Sequence, residues 1–271
     1  RGNTLALRLR IEKGDVRGPR ILTAGLSLFP PDGLPIYIAH LPKELLDIIY
    51  AGDYRGCQMP PVTPLGAAIF RYTIGCQAPS AVRERRRFLA AQIDACCAER
   101  RDAAVLSVAC GHLRELEVSN AAQARAFGRF VGLDRDPVTL DYVARTWGPI
   151  GVEARVASAE LFMPGSAPAE RFDFVYAAGL YDYLDDQLAQ LVTERLFSLL
   201  NPGGRLLIGA FTPATRDAGY MEAYMGWELI YRNTEAMHRL VDAISTTSIA
   251  RVKTIADRTG AVIYLDVRAA S

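Results

Sequence analysis

The stretch AVLSVACGHLRELE, Ala104 to Glu117, followed by GRFVGLDRD, Gly128 to Asp136, decides how this 271-residue chain is read. An apolar strand runs into a turn that holds Gly111, a helix follows, and a second apolar strand ends in acidic residues. An α/β sheet holds a nucleoside in this way: the first turn lets backbone approach the ligand, and the acid of the second strand takes the ribose hydroxyls. The dinucleotide fingerprint needs three glycines, and the turn Ala109-Cys110-Gly111-His112-Leu113 keeps only Gly111. Pyrophosphate has to lie against bare backbone at a helix N-terminus, so this turn argues against NAD or FAD.

S-adenosylmethionine fits better. It carries no phosphate, and its adenosine needs one close backbone approach plus one acid accepting from both ribose hydroxyls. Asp134 is placed for that task, ahead of Asp136. Downstream, ERFDFVYAAGLYDYL, Glu170 to Leu184, reads as a buried fourth strand entering a loop. LLNPGGRLLIGAF, Leu199 to Phe211, reads as a helix end, a Pro-Gly-Gly turn and a fifth strand. The predicted strands are Ala103 to Ala109, Arg129 to Asp134, Val152 to Ala157, Phe172 to Ala177 and Gly204 to Phe211. Two more, Ile249 to Ala256 and Ala261 to Val267, are separated by Asp257-Arg258-Thr259-Gly260, which is short enough only for an antiparallel hairpin.

With these four elements in order, the chain resembles the class I S-adenosylmethionine-dependent methyltransferases over roughly Pro79 to Arg268. The ACG turn followed by Arg114-Glu115, the loop AGLYDYL (Ala178 to Leu184) and WELIYR (Trp227 to Arg232) are similar to the bacterial group that includes the 3-hydroxypalmitate methyl ester synthases. The resemblance implies an α/β, Rossmann-like sheet of seven mostly parallel strands with an antiparallel last strand, preceded by an N-terminal α+β extension. It also implies a carboxylate near the methionine end of the cofactor. Glu115 would accept from the α-amino group, and Arg114 or an arginine of the Arg83 to Arg87 cluster would pair with the carboxylate. An exposed helix salt bridge accounts for the same residues. Ser107 stands where the family has an acid on its first strand.

Half the residues are hydrophobic, enough for one large α/β domain with an extension. The net charge is +1 and basic residues are scattered apart from Arg83 to Arg87, so nucleic acid is not the expected partner. No apolar run reaches the roughly 20 residues of a membrane span, and the start lacks a signal-peptide hydrophobic region, which predicts a cytoplasmic enzyme. Cys57, Cys76, Cys96, Cys97 and Cys110 are odd in number and lack metal-ligand spacing beside only three histidines, so they are expected as reduced thiols with no metal.

Residues 1–77 form the extension, with short strands expected at Leu5 to Glu12, Arg20 to Phe29 and Leu34 to Leu41. A helix is expected from Pro42 to about Ala51, then a linker, Gly52 to Pro79, with a short helix around Leu65 to Ile74. The extension would serve as a lid or a homodimer interface. Residues 78–271 are the cofactor domain, opened by a helix over Ala81 to Arg100 with Ser80 as its N-cap.

Ligands of open α/β sheets lie beyond the carboxyl ends of the strands. That nominates Ala109, Cys110, Gly111, Asp134, Arg135, Ser158, Ala178 and Gly179 as cofactor contacts, with Arg114 and Glu115 at the methionine end. Asp136, directly before Pro137, reads also as a helix N-cap. Tyr176, Tyr181 and Tyr183 offer ring faces to a sulfonium, and each reads equally as a core aromatic with one satisfied hydroxyl. Tyr176, Tyr181 and His112 are the catalytic candidates. Tyr183, Trp227, Tyr231 and Arg232 are the candidates for holding the acceptor.

Methyl transfer is an in-line displacement that mainly asks for alignment and exclusion of water; a base is needed only for a poor nucleophile. The Asn or Asp before Pro-Pro-aromatic used to methylate amide or base nitrogens is absent. An apolar, tyrosine-lined loop without an evident base suits an anionic acceptor. The expected function is methylation of a small molecule, at a carboxyl or hydroxyl oxygen of a fatty or hydroxy acid. One alternative is cyclisation of the cofactor's aminobutyl chain to azetidine-2-carboxylate with release of methylthioadenosine. The other is a non-catalytic binding protein.

Overall fold

The computed structural model describes residues 48–52, 64–157, 170–225 and 227–271. The strands expected before Pro42, the start of the helix after it, Cys57 and Ser158 lie outside the described residues. In chain order the elements are α1 (Pro64–Ile74), α2 (Gln77–Glu99), β1 (Ala104–Val108), α3 (Asn120–Ala124), β2 (Arg129–Asp134), α4 (Pro137–Trp147), β3 (Val152–Val156), β4 (Phe172–Ala177), α5 (Asp186–Ser198), β5 (Leu200–Phe211), α6 (Ala218–Met225), α7 (Thr234–Arg239), β6 (Ile249–Ala256) and β7 (Val262–Ala269). The described residues fall into two compact units. One takes in residues up to Pro79 together with Thr215–Leu229; the other comprises Ser80–Ala214 and Ile230–Ser271.

In the second unit seven strands form one sheet in the order β3-β2-β1-β4-β5-β7-β6. β1 pairs in parallel with β2 and β4, β2 with β3, and β4 with β5, whereas β7 runs antiparallel to both β5 and β6. Central strands are apolar on both faces because helices cover both: Val105, Leu106, Phe174 and Val175 are all buried. β6 ends the sheet and alternates exposed Arg251 and Lys253 with half-buried neighbours, as suits an edge. The reversal of order between β1 and β4 opens the crevice in which such sheets bind ligands.

Two expectations needed correction. β5 begins at Leu200, before the Pro-Gly-Gly turn. Phe172 pairs with Leu200 and Phe174 with Arg205, so the intervening residues form a bulge within the strand, with Gly203 at φ +65°. Helix α2 begins at Gln77, not after a Ser80 cap. Pro79 is tolerated in a first turn, and the Ala78 N–H is met by the carboxylate of Asp217 at 2.6 Å, a partner distant in sequence. Within the first unit this bond is joined by one from the Arg216 N–H to Gln77 Oε1 at 2.7 Å.

Candidate active site

The turn after β1 is left-handed at three alternate residues, of which one is a glycine. Ala109, Gly111 and Leu113 have φ of 52°, 54° and 52°, all left-handed. For Ala109 and Leu113 that conformation costs about 1–2 kcal/mol each. Cross-links hold it: the Cys110 N–H donates to the Leu133 carbonyl at 2.9 Å, the Leu113 N–H to the Cys110 carbonyl at 3.2 Å, and Trp147 Nε1 to the His112 carbonyl at 2.9 Å. Leu113 is buried, and the turn lies so close over β2 that a Cβ on Gly132 would meet Cys110 Sγ at 3.1 Å. A Cβ on Gly111, by contrast, would meet nothing within 4 Å, which leaves room for a ligand.

Asp134 ties this turn to the next. One carboxylate oxygen accepts from the Gly111 N–H at 3.0 Å and the other from the Asp136 N–H at 3.0 Å. Each oxygen retains a lone pair suited to a hydroxyl. Asp136 is the N-cap of α4: its carboxylate accepts from the Val138 and Thr139 N–H groups and from Thr139 Oγ1 at 2.6 Å. Arg135 is exposed beside it. The His112 ring stacks on Tyr142 with centroids 4.1 Å apart, and the Arg114 guanidinium lies 5.1 Å from the same ring. Arg114 is paired with Glu117 at 2.6 Å, so that charge is engaged within its own turn.

On β4 the site becomes buried. Tyr176 donates its hydroxyl to Glu115 Oε1 at 2.5 Å. Burial pushes the Glu115 carboxyl above its ordinary value against the opposing pull of that bond. Burial, then the adjacent Glu115 charge, holds the Tyr176 phenol far up. Ser107 stands level with Tyr176 in the β1–β4 register. Glu115, from the turn that follows β1, thus brings a buried carboxylate to Tyr176. Of the Arg83 to Arg87 cluster, Arg85 reaches this edge: its Nη1 donates to the Ala178 carbonyl at 2.7 Å, and its charge acts on both Glu115 and Asp182. Arg86 instead pairs with Glu117 at 3.0 Å.

The loop after β4 is locked to the end of β5. Asp182 is buried, with Oδ1 accepting from the Phe211 N–H at 2.7 Å and its carbonyl accepting from the Ile230 N–H at 2.7 Å. Burial pushes its carboxyl up to about 6, while the Phe211 N–H, Arg85 and Arg232 restrain the rise. Arg232 is buried and donates to the carbonyls of Tyr181 and Leu184, the latter at 2.6 Å, and to Asp186 at 3.2 Å. Tyr181 is fully buried with its hydroxyl against Thr193 Oγ1 at 2.9 Å. Arg232 and Tyr181 therefore serve the packing of the loop. Tyr183 and Tyr231 are half-buried, Gly179 is half-buried next to Arg85, and Trp227 is buried in the first unit. Sequence reasoning missed Asp182 and did not single out Arg85. The signal for Asp182 was present as an acid between two tyrosines in a strand-end apolar run.

No protein-family model matches the chain, and no curated protein matches it. Solved structures do. A protein described as a possible exported protein from Bordetella parapertussis matches with TM-score 0.65 at 18% identity, over 84% of this chain and 79% of that one. Magnesium protoporphyrin IX methyltransferase from Synechocystis, with bound S-adenosylhomocysteine, matches with TM-score 0.51 at 14% identity, over 84% and 98%. The CurJ carbon methyltransferase matches with TM-score 0.50 at 14% identity, over 63% and 49%. Among the described residues no helix is long and apolar enough to cross a membrane. At such identities the likeness concerns architecture, and together with the sheet order and its one antiparallel strand it gives this chain the class I methyltransferase fold.

Proposed function

We propose that the chain is an S-adenosylmethionine-dependent methyltransferase that methylates a small molecule at a carboxyl or hydroxyl oxygen of a fatty or hydroxy acid. The observation that carries this is the pairing of Asp134 with the Gly111 N–H beneath open space, at the carboxyl ends of β1 and β2. These residues fit adenosine: Asp134 takes the ribose hydroxyls, and the backbone of Ala109, Cys110 and Gly111 allows the close approach. Glu115 holds the α-ammonium, and Arg85 the carboxylate, with Ala178 and Gly179 beside them. The cofactor, when bound, supplies an electrophilic methyl on a sulfonium. Tyr176 keeps the Glu115 carboxylate in position, and the loop Ala178 to Leu184, with Tyr181, Asp182 and Leu184 buried, limits water at the reacting edge.

Two structural neighbours named as methyltransferases, one of them holding S-adenosylhomocysteine, support the cofactor. Mass spectrometry of the purified protein with S-adenosylmethionine and a 3-hydroxy fatty acid tests the reading. The expected products are S-adenosylhomocysteine and an acid heavier by one methyl in place of hydrogen. Methylthioadenosine formed from S-adenosylmethionine alone would overturn it, because the cofactor would then be the substrate.

A further inference from the structure

We infer that Asp182 is the base that receives the acceptor's proton, and that the methylated group is therefore a neutral hydroxyl and not a carboxylate. The inference rests on the methyltransferase reading and narrows its substrate. A carboxylate arrives ionised and needs no base, whereas an alcohol has to lose its proton as the methyl arrives. An apolar loop without a base would favour the carboxylate. The fold places a base there.

Asp182 lies three residues beyond Gly179, past the carboxyl end of β4, and is bonded to the last residue of β5. Ligands of this architecture lie along that edge. Its side chain is 3% exposed and uses one oxygen, Oδ1, on the Phe211 N–H; no described residue donates to the other oxygen. The charges of Arg85 and Arg232 offset part of the cost of burying this carboxylate. The groups that face it are Arg85 from α2, Arg232 from the segment after β5, and the Phe211 amide. Neither arginine forms a direct ion pair with it. Arg85 is bonded to the Ala178 carbonyl, and Arg232 to the carbonyls of Tyr181 and Leu184 and to Asp186. The carboxylate is thereby anchored at one oxygen, and its proton affinity lies near neutral pH, where general bases work best.

In the step, a lone pair of the acceptor oxygen forms the O–CH3 bond as the methyl–sulfur bond breaks. Sulfur keeps that electron pair as a neutral thioether. The hydroxyl proton passes to the Asp182 carboxylate and leaves later to solvent.

The test compares wild type, Asp182→Asn and Asp182→Glu, with tetradecanoic acid and 3-hydroxytetradecanoic acid as probes and tandem mass spectrometry to place the methyl. Asp182→Asn keeps an oxygen for the Phe211 N–H but cannot take a proton, and Asp182→Glu restores a carboxylate. The expected result is a methyl ether from the hydroxy acid only. Asp182→Asn should lower kcat by about 10²- to 10⁴-fold with the KM for S-adenosylmethionine within about twofold, and Asp182→Glu should recover part of the loss. Wild-type kcat should fall about tenfold per pH unit below about 6 and level off above it. A methyl ester product, an Asp182→Asn kcat within about threefold of wild type, or no methylation of either probe by protein that binds S-adenosylmethionine would each overturn the inference. Wild type that does not bind S-adenosylmethionine would overturn the methyltransferase reading instead.

Discussion

The two halves of the ligand edge are built on different principles. At the ends of β1 and β2, Asp134 is half-buried and spends its oxygens on backbone N–H groups two and 23 residues away, and Arg114 is paired within its own turn. At the ends of β4 and β5 the charged groups Glu115, Asp182 and Arg232 are buried, and their partners lie 61, 29 and 48 residues away. The first half fixes the backbone of a turn through local bonds. The second half takes charges out of water, which changes their proton affinities and makes each one depend on a distant partner.

Removing a charge from each half should expose the difference. Arg232→Ala leaves the Tyr181 and Leu184 carbonyls without their donor and should destabilise the chain by about 3 kcal/mol or more in denaturant unfolding. Arg114→Ala removes a partly exposed pair and a contact with the Tyr142 ring and should cost less than about 2 kcal/mol. Equal costs would erase the distinction.

A smaller effect is expected from Tyr176→Phe, which strips the Glu115 carboxylate of its donor. The cost should be about 1.5–3 kcal/mol near neutral pH. Since burial raises Glu115, its charged form is the unfavourable one, so this cost should shrink as pH falls and the carboxyl protonates. Asp182 has the same sign. Its folded value of about 6 lies above the unfolded one, so its contribution is fully present below about pH 4 and is lost as pH rises through 6. Asp182→Asn should flatten the wild-type loss of stability between these values, an effect of about 1–3 kcal/mol measurable by urea unfolding across pH. A curve as steep as wild type's would locate the pH dependence elsewhere.

Two further variants concern the first half. Ala109→Gly should raise stability by up to about 1 kcal/mol by relieving a left-handed alanine. Leu113→Gly relieves the same conformation but gives up a buried side chain, and should destabilise by about 1–3 kcal/mol, both read by urea unfolding. If both variants stabilise, packing does not hold this turn.

The division also explains what was legible in the sequence. β2, β4 and β6 have the limits expected from the sequence, because those limits follow local pattern. Gly111, Asp134 and Asp136 were readable because a turn, a strand-end acid and a cap before proline are local features. The start of α2 was not, since its cap is Asp217, 139 residues away in sequence. Nor was the bulge at Gly203, which depends on the pairing of β5 with β4. Tyr181 and Arg232 stand in the expected loops, yet their polar atoms are satisfied by Thr193 and by carbonyls that only the folded chain brings near. Asp182 was overlooked for the same reason, because what gives it a proton-accepting role is burial and not spacing.

The most direct test is titration calorimetry of S-adenosylmethionine into wild type, Asp134→Ala and Asp182→Asn. The account predicts one site per chain in wild type, binding at least about 100-fold weaker in Asp134→Ala from the loss of two charge-assisted bonds to ribose, and unchanged affinity in Asp182→Asn. No binding by wild type, or equal binding by wild type and Asp134→Ala, would contradict it.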